Sequence, residues 1–302
     1  MALTTLSGDE QCSIFSQLCN TLEPGVAVAF GSASSELRVL TQAQRQQLRA
    51  DYEVAVVLCL RMGLRSCKEL REAKRVGCSG GVTLRYGSVL GLSVADLAML
   101  GKLGSVLPAL KELSIEALKE LPAGAAGPDG VQRLAEKLGA GALPSVTLLH
   151  LSGMHVGDAG ASALAAALGQ GALPRLKHIN LFNAAVGDAG LVALASALRR
   201  RPALETLDLW GNPFGDEGLA ALVAPPPPAS AGALSPPTGV LAKLRALDLS
   251  HTQTNDAGCA ALVSALDSGA LPALVTIPLA NIHASAASKA AVTEALATSR
   301  AS

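Results

Sequence analysis

Aromatic side chains are scarce in this 302-residue chain, with four Phe, two Tyr and one Trp amounting to 2% of it. That excludes a core built on stacked rings and leaves Ala and Leu to supply most of the apolar half of the composition. No charge of one sign dominates either, since Lys plus Arg and Asp plus Glu each number 24. Without a basic block there is no footprint for nucleic acid or an anionic membrane. Long apolar runs are missing; "VAVVLCL" at 54–60 falls far short of a membrane span. The opening "MALTTLSGDEQ" has no basic segment and turns acidic at Asp9, so no secretory signal is expected. The six Cys, at 12, 19, 59, 67, 78 and 259, form no C-x-x-C pair. Reduced, buried thiols in an intracellular, cytoplasmic protein are expected rather than a disulfide framework or a zinc site.

Catalytic motifs are missing as well. No G-x-S-x-G, phosphate-binding loop or H-E-x-x-H is present. The expectation is a protein that is not an enzyme and uses no cofactor and no metal.

What the chain does have is a repeat. "VTLLHLSGMHVGDAGASALAAAL" starts at Val146, "LKHINLFNAAVGDAGLVALASAL" at Leu176, "LETLDLWGNPFGDEGLAALV" at Leu204 and "LRALDLSHTQTNDAGCAALVSAL" at Leu244. Asp158, Asp188, Asp216 and Asp256 recur in step. Degenerate copies flank these four, at 110–138 and from 274 to a final helix around 286–297. A period of this size implies a repeat architecture.

Each unit changes periodicity halfway. L-x-x-L-x-L ends in alternation, which predicts a short strand with one buried face. The second half is an Ala/Leu run with Leu pairs spaced i, i+4, which predicts a helix. Leu194 and Leu207 are expected in the core. Each repeated Asp is expected to cap its own helix. Recurrent "ALP" segments break the helices and bias the residue before Pro toward extended backbone.

L-x-x-L-x-L-x-x-N-x-(L/F), then Gly-Asp and a helix, resembles the ribonuclease-inhibitor type of leucine-rich repeat over roughly residues 107–302. The resemblance implies an α/β solenoid of the horseshoe kind, with parallel strands concave and helices convex. Only Asn212 keeps the family's Asn, which bonds loop backbone there; Met154, Ala184, Thr252 and Ile282 replace it. The solenoid is assigned to residues 91–302 and a helical N-terminal region to 1–90.

That N-terminal region shows capping boxes at Ser7/Glu10, Thr41/Gln44, Ser66/Glu69 and Ser93/Asp96. Residues 6–40 also resemble an F-box through Leu6, Asp9, Ile14, Phe15 and Leu18, although Ser7 stands where that motif has Pro. By resemblance, Ile14, Phe15 and Leu18 would touch the adaptor of a cullin-type ubiquitin ligase. The other reading is an amphipathic helix that covers the open end of the solenoid.

The rare aromatics recur at one position of the repeat. The residue after the last strand Leu reads Ser152, Phe182, Trp210 and Ser250, and is expected to point out from the concave face. The residue before that Leu reads His150, Asn180, Asp208 and Asp248. His178 falls at a strand position too, but no nucleophile or third ligand accompanies these groups, so they read as polar residues between buried Leu. Aromatics ringed by hydrogen-bonding groups suit a protein interface; ring packing over the strand ends accounts for them equally.

The expected function is therefore a protein–protein interaction scaffold binding a partner on the concave face, at Phe182, Trp210, Asp208, Asn180, His150 and Asp248. The alternatives are an F-box-type substrate-recognition subunit of a ubiquitin ligase and a regulator of a small GTPase, as some ribonuclease-inhibitor-type solenoids are.

One unit is 40 residues long instead of 28–30, because "APPPPASAGALSPPTGV" at 224–240 is inserted between its helix and the next strand. It reads as a low-complexity insertion, or as a polyproline ligand for a proline-recognising domain. Loop-closure cost changes slowly with length. Deleting residues 225–236 should leave the thermal unfolding midpoint nearly unchanged, and a large drop would show that the insertion packs on the repeats.

Overall fold

The computed structural model describes residues 6–79, 82–83, 89–90, 92–116, 129–201, 203–224 and 241–301. Most of the insertion and part of the first degenerate repeat lie outside the described residues. Five helices come first: α1 (Gly8–Leu18), α2 (Gly25–Gly31), α3 (Ser35–Leu40), α4 (Gln42–Arg61) and α5 (Cys67–Glu72). Next come β1 (Arg75–Ser79), a ribbon of β2 (Val82–Thr83) and β3 (Val89–Leu90), then α6 (Val94–Lys102), β4 (Glu112–Glu116) and α7 (Asp129–Lys137). The regular units follow as β5 (Leu148–His150), α8 (Gly157–Gly169), β6 (His178–Asn180), α9 (Asp188–Leu198), β7 (Thr206–Asp208), α10 (Asp216–Val223), β8 (Ala246–Asp248) and α11 (Asp256–Asp267). α12 (Ala286–Ala301) closes the chain.

Strands β1, β4, β5, β6, β7 and β8 form an open, all-parallel six-stranded sheet in that order. Each crossover carries a helix, and α6 through α12 pack each on the next. This is an α/β solenoid. The sheet begins at Arg75, within the 1–90 region read from sequence as helical, because β1 pairs in register with β4 from Arg75↔Glu112 onward.

Every regular strand shows the same burial. Leu149, Ile179, Leu207 and Leu247 face the helices, while the residues on either side of each remain half-buried on the open face. Leu207 and Leu194 are fully enclosed. One continuous core runs from Leu22 to Ala295 and takes in Ala55, Leu58 and Cys59 of α4 and Cys67 and Leu70 of α5. Phe15, Ala27 and Leu48 form a separate small cluster under α1 and α2. Arg61 to Asp96 and Lys102 to Asp51 are ion pairs that tie α4 to α6.

Two of the four capping boxes form as read, at Ser7/Glu10 and Ser93/Asp96. Ser66 accepts from the Glu69 N–H, but the Glu69 carboxylate turns to the Arg65 N–H. Thr41 does not cap α4; its hydroxyl donates to the Leu37 carbonyl and closes α3.

The repeated Asp residues do not cap their own helices. Each reaches the first turn of the next helix in the stack. Asp158 Oδ1 accepts from the N–H groups of Gly187 (2.7 Å) and Gly190 (3.0 Å). Asp188 Oδ1 accepts from Gly215 (2.9 Å) and Gly218 (2.7 Å), and Asp216 Oδ1 from Asn255 and Gly258, both at 2.9 Å. The chemistry is that of an N-cap, a carboxylate satisfying orphan helix donors at the positive end of the dipole, but it is supplied from the neighbouring repeat. It also explains the Gly two residues after the repeated Asp in three of the units. A Cβ at Gly190, Gly218 or Gly258 would stand 2.6, 2.9 or 2.5 Å from the incoming carboxylate oxygen. In the last unit Ser288 holds this place, and its N–H turns to the Ser285 hydroxyl.

The loops are filled in more than one way. Asn212 is buried; its Oδ1 accepts from the Ala184 and Val186 N–H groups, and its Nδ2 donates to the Leu181 and Leu209 carbonyls. Met154, Ala184 and Ile282 fill the equivalent space with apolar atoms, and Thr252 donates to the Leu249 carbonyl. Leu143 and Leu173 precede Pro yet are left-handed (φ 52° and 51°), not extended as expected. Their side chains are fully buried and their N–H groups bond carbonyls of the preceding repeat, Gly104 and Ala142. Tertiary bonding there overrides the local Pro bias. After α9, where other units have a Gly-rich turn, Arg201 donates to the Leu168, Ala172 and Leu173 carbonyls at the end of α8.

Asp188→Ala should cost about 1–2 kcal/mol, the scale of a lost N-cap. Gly218→Ala should cost about 1–3 kcal/mol by crowding, but less in the Asp188→Ala background, where the obstructing carboxylate is gone. Denaturant unfolding of the four proteins checks this; additivity of the two losses would rule out the inter-repeat cap.

Candidate functional site

The strand register lines up the polar column. His150↔Asn180, Asn180↔Asp208 and Asp208↔Asp248 are direct neighbours across β5 to β8. Asn180 Nδ2 donates to Asp208 Oδ2 at 3.0 Å. These side chains also hold the next turn. Asn180 Oδ1 accepts from the Phe182 N–H (2.9 Å), Asp208 Oδ1 from the Trp210 N–H (3.0 Å) and Asp248 Oδ1 from the Ser250 N–H (2.9 Å). A carboxylate or amide bonding the backbone two residues on is the usual way such residues start a turn. His178 sits in the adjacent column, its Nδ1 3.1 Å from the Thr206 hydroxyl.

The aromatic residues meet. The rings of Phe182 and Trp210 are stacked, 4.3 Å between centroids and 6° from parallel. His251 joins them, 4.4 Å from Trp210 and tilted by 44°. Its Nε2 lies 2.9 Å from Asn281 Nδ2. Phe182 and Trp210 stay half-buried and His251 is exposed, so the three rings pack on each other and still present surface. Ser152 is half-buried in the same column, but Ser250 is buried, its hydroxyl accepting from the Ala280 N–H. The column therefore does not point outward at every repeat.

The reading from sequence missed His251. Its signal lies one residue past the aromatic column, at Gly153, Asn183, Gly211, His251 and Asn281. All five are left-handed, with φ of 66°, 49°, 71°, 58° and 53°. Gly and Asn adopt that conformation readily; a His there is uncommon. A column alternating Gly and Asn marks the position, and the one bulky member is the residue whose ring continues the stack. Beside it a cavity of about 330 Å³ is lined by Gly211, Pro213, His251, Gln253, Asn281 and His283, among others.

The electrostatics of the column are uneven. Burial pushes the Asp208 carboxyl above its ordinary range; the neighbouring Asp248 charge adds to this, while the Trp210 N–H and His150 oppose it. Along the row below, Lys177 pairs with Glu205 at 2.7 Å. No three His, Cys, Asp or Glu side chains among the described residues gather closely enough to hold a metal ion. Cys12, Cys19, Cys59, Cys67 and Cys259 are free thiols. Burial raises the pKa of four of these five, that of Cys59 to about 12, which keeps its thiol protonated and unreactive.

In the N-terminal helices, Ile14 and Leu18 are half-buried and Phe15 is fully enclosed. In this arrangement the Phe15 ring has no surface to offer an adaptor. No helix among the described residues is long and apolar enough to cross a membrane.

Comparison with protein families gives the class. Residues 142–165, 173–195, 202–223 and 240–263 match the leucine-rich repeat family. The span 142–263 is thus built of leucine-rich repeats, which in general are protein-interaction modules and typically scaffolds rather than catalysts. Comparison with curated proteins gives no match.

Folded Asp208 titrates above its ordinary value, so its ionisation works against the fold. That contribution to stability is fully present below the unfolded pKa and is lost as pH rises through the folded one. Asp248→Asn removes the like charge opposite it and keeps an oxygen for the Ser250 N–H. The variant should lower the Asp208 titration midpoint, followed by carboxyl NMR, and stabilise the protein at pH 7 by about 0.5 kcal/mol. An unmoved midpoint would show that Asp248 does not act on Asp208.

Proposed function

We propose that this chain is a protein-interaction scaffold of the ribonuclease-inhibitor-type repeat class, whose partner binds the concave, strand-bearing face. One observation carries this reading: Phe182 stacks on Trp210, His251 packs tilted against Trp210, and the three rings keep surface exposed beside Asp208 and Asp248, which are neighbours across the strands. The buried Leu columns already fill the core, and in a chain with one Trp its placement here is not demanded by packing. A rigid aromatic platform beside charged groups supports an anchoring role, because it offers contact area at low entropic cost. His150 and Asn180 extend the polar column on one side of the platform.

The reading is tested by capturing partners on full-length chain, identifying them by mass spectrometry and measuring the affinity of the best. Trp210→Ala should weaken that affinity by about 2 kcal/mol or more. Loss of the stack should cost the fold only about 0.5–1.5 kcal/mol. Val192→Asp, on the exposed side of α9, should leave binding unchanged. A strongly destabilised Trp210→Ala protein whose folded fraction binds normally would assign the rings to packing.

A further inference from the structure

A second surface lies at the other end of the molecule. Val192 apart, every exposed large apolar side chain among the described residues falls between Val26 and Leu60, and Val39 is 72% exposed. Helices α2, α3 and α4 enclose a groove of about 550 Å³ here, within the range of ligand-binding clefts. Val28, Val39, Pro24 and Tyr52 give it apolar walls. Arg38, Arg45 and Arg49 line it together with two Gln, and no carboxylate does.

The three guanidinium groups differ in what they already hold. Arg49 pairs with Glu53, which shares its helix. Arg38 and Arg45 have no carboxylate partner among the described residues. Arg45 Nη2 donates to the Arg38 carbonyl at 2.7 Å, and Arg38 Nη2 reaches the Ser32 carbonyl at 3.5 Å. The Arg45 Nε–H is buried without an acceptor. The unsatisfied Arg45 Nε–H is a desolvated donor that an incoming acceptor would relieve, and guanidinium groups without carboxylate partners beside exposed apolar side chains complement one chemistry.

We propose that this groove docks an acidic amphipathic helix of a protein partner, apolar side chains against Val28 and Val39 and carboxylates on Arg38 and Arg45. Planar guanidinium groups suit carboxylates in bidentate pairs, and an amphipathic helix laid in an apolar groove is a common recognition mode. Phosphate polymers fit poorly: three cations around a narrow apolar cleft, on a chain of zero net charge, release few counterions. The site is separate from the sheet face and does not depend on its reading.

The test titrates full-length chain into a labelled synthetic peptide with Leu at i, i+3 and i+7 and Glu between, read by fluorescence anisotropy. Saturable binding that weakens with salt is expected. Val39→Asp and Arg38→Glu, both at exposed positions, should each weaken it at least about tenfold while circular dichroism and melting stay unchanged. Trp210→Ala should leave it unaffected, which separates this site from the sheet face. Equal binding of a Lys-for-Glu peptide, or indifference to both groove variants, would overturn the proposal. So would binding of anionic vesicles or RNA that Arg38→Glu abolishes while the peptide stays unbound. A dimer that Val39→Asp dissociates would assign the groove to a second copy of the chain instead.

Discussion

The carboxylate that crosses from one repeat to the first turn of the next is the interaction on which the stack depends. Strand pairing alone fixes the sheet edge of each unit, leaving the helix free to slide or tilt on its Leu face. Asp158, Asp188 and Asp216 remove that freedom by tying two backbone N–H groups of the following helix to the preceding one. The bond also sets the thickness of the helix layer. Gly190, Gly218 and Gly258 let the carboxylate come within reach, and side chains there would push neighbouring helices apart. Asp256 continues the series to the Ser285 N–H at 2.6 Å, and its carboxyl is held below the ordinary range by that bond and by the Ser288 and Ser285 hydroxyls.

The same logic of borrowed partners builds the candidate site. A strand residue on the open face bonds the backbone two positions on, which fixes the turn; the turn then needs one left-handed residue. Gly or Asn meets that need at four units and His251 at the fifth. The backbone conformation turns the His251 ring back onto Trp210, so the stack follows from a loop requirement combined with one unusual side chain. Asp208 serves twice, holding the Trp210 N–H and receiving the Asn180 amide, and is the group in the column whose ionisation burial resists.

Much of this was legible in the sequence. The change of period within each unit located β5 to β8 and α8 to α11, and the strand register brought together the column of His150, Asn180, Asp208 and Asp248. What sequence could not show was the direction of bonds between units. An Asp at a helix start looks like a cap for that helix, and nothing local reveals that its oxygen turns to the next one. Likewise Leu143 and Leu173 precede Pro, and local rules favour extended backbone, yet burial and a bond to the previous repeat impose the opposite. The stacking of Phe182 on Trp210 depends on the spacing between neighbouring strands. β1 escaped notice because "RVGCS" has no repeat partner in sequence, only in the register with β4.

The 40-residue unit shows which of these constraints dominates. It carries an insertion larger than a strand and turn together, yet Thr206↔Ala246 and Asp208↔Asp248 pair in the register of the shorter units. Asp216 reaches Asn255 and Gly258 at 2.9 Å, as Asp188 reaches its own partners 27 and 30 residues on. Chain length between units is therefore not what positions them. The ladder on one side and the carboxylate on the other do so, and a connection need only be long enough to span the gap. A unit could lengthen at this junction without disturbing the ring stack, because Trp210 and His251 lie on opposite sides of the insertion and still meet at 4.4 Å.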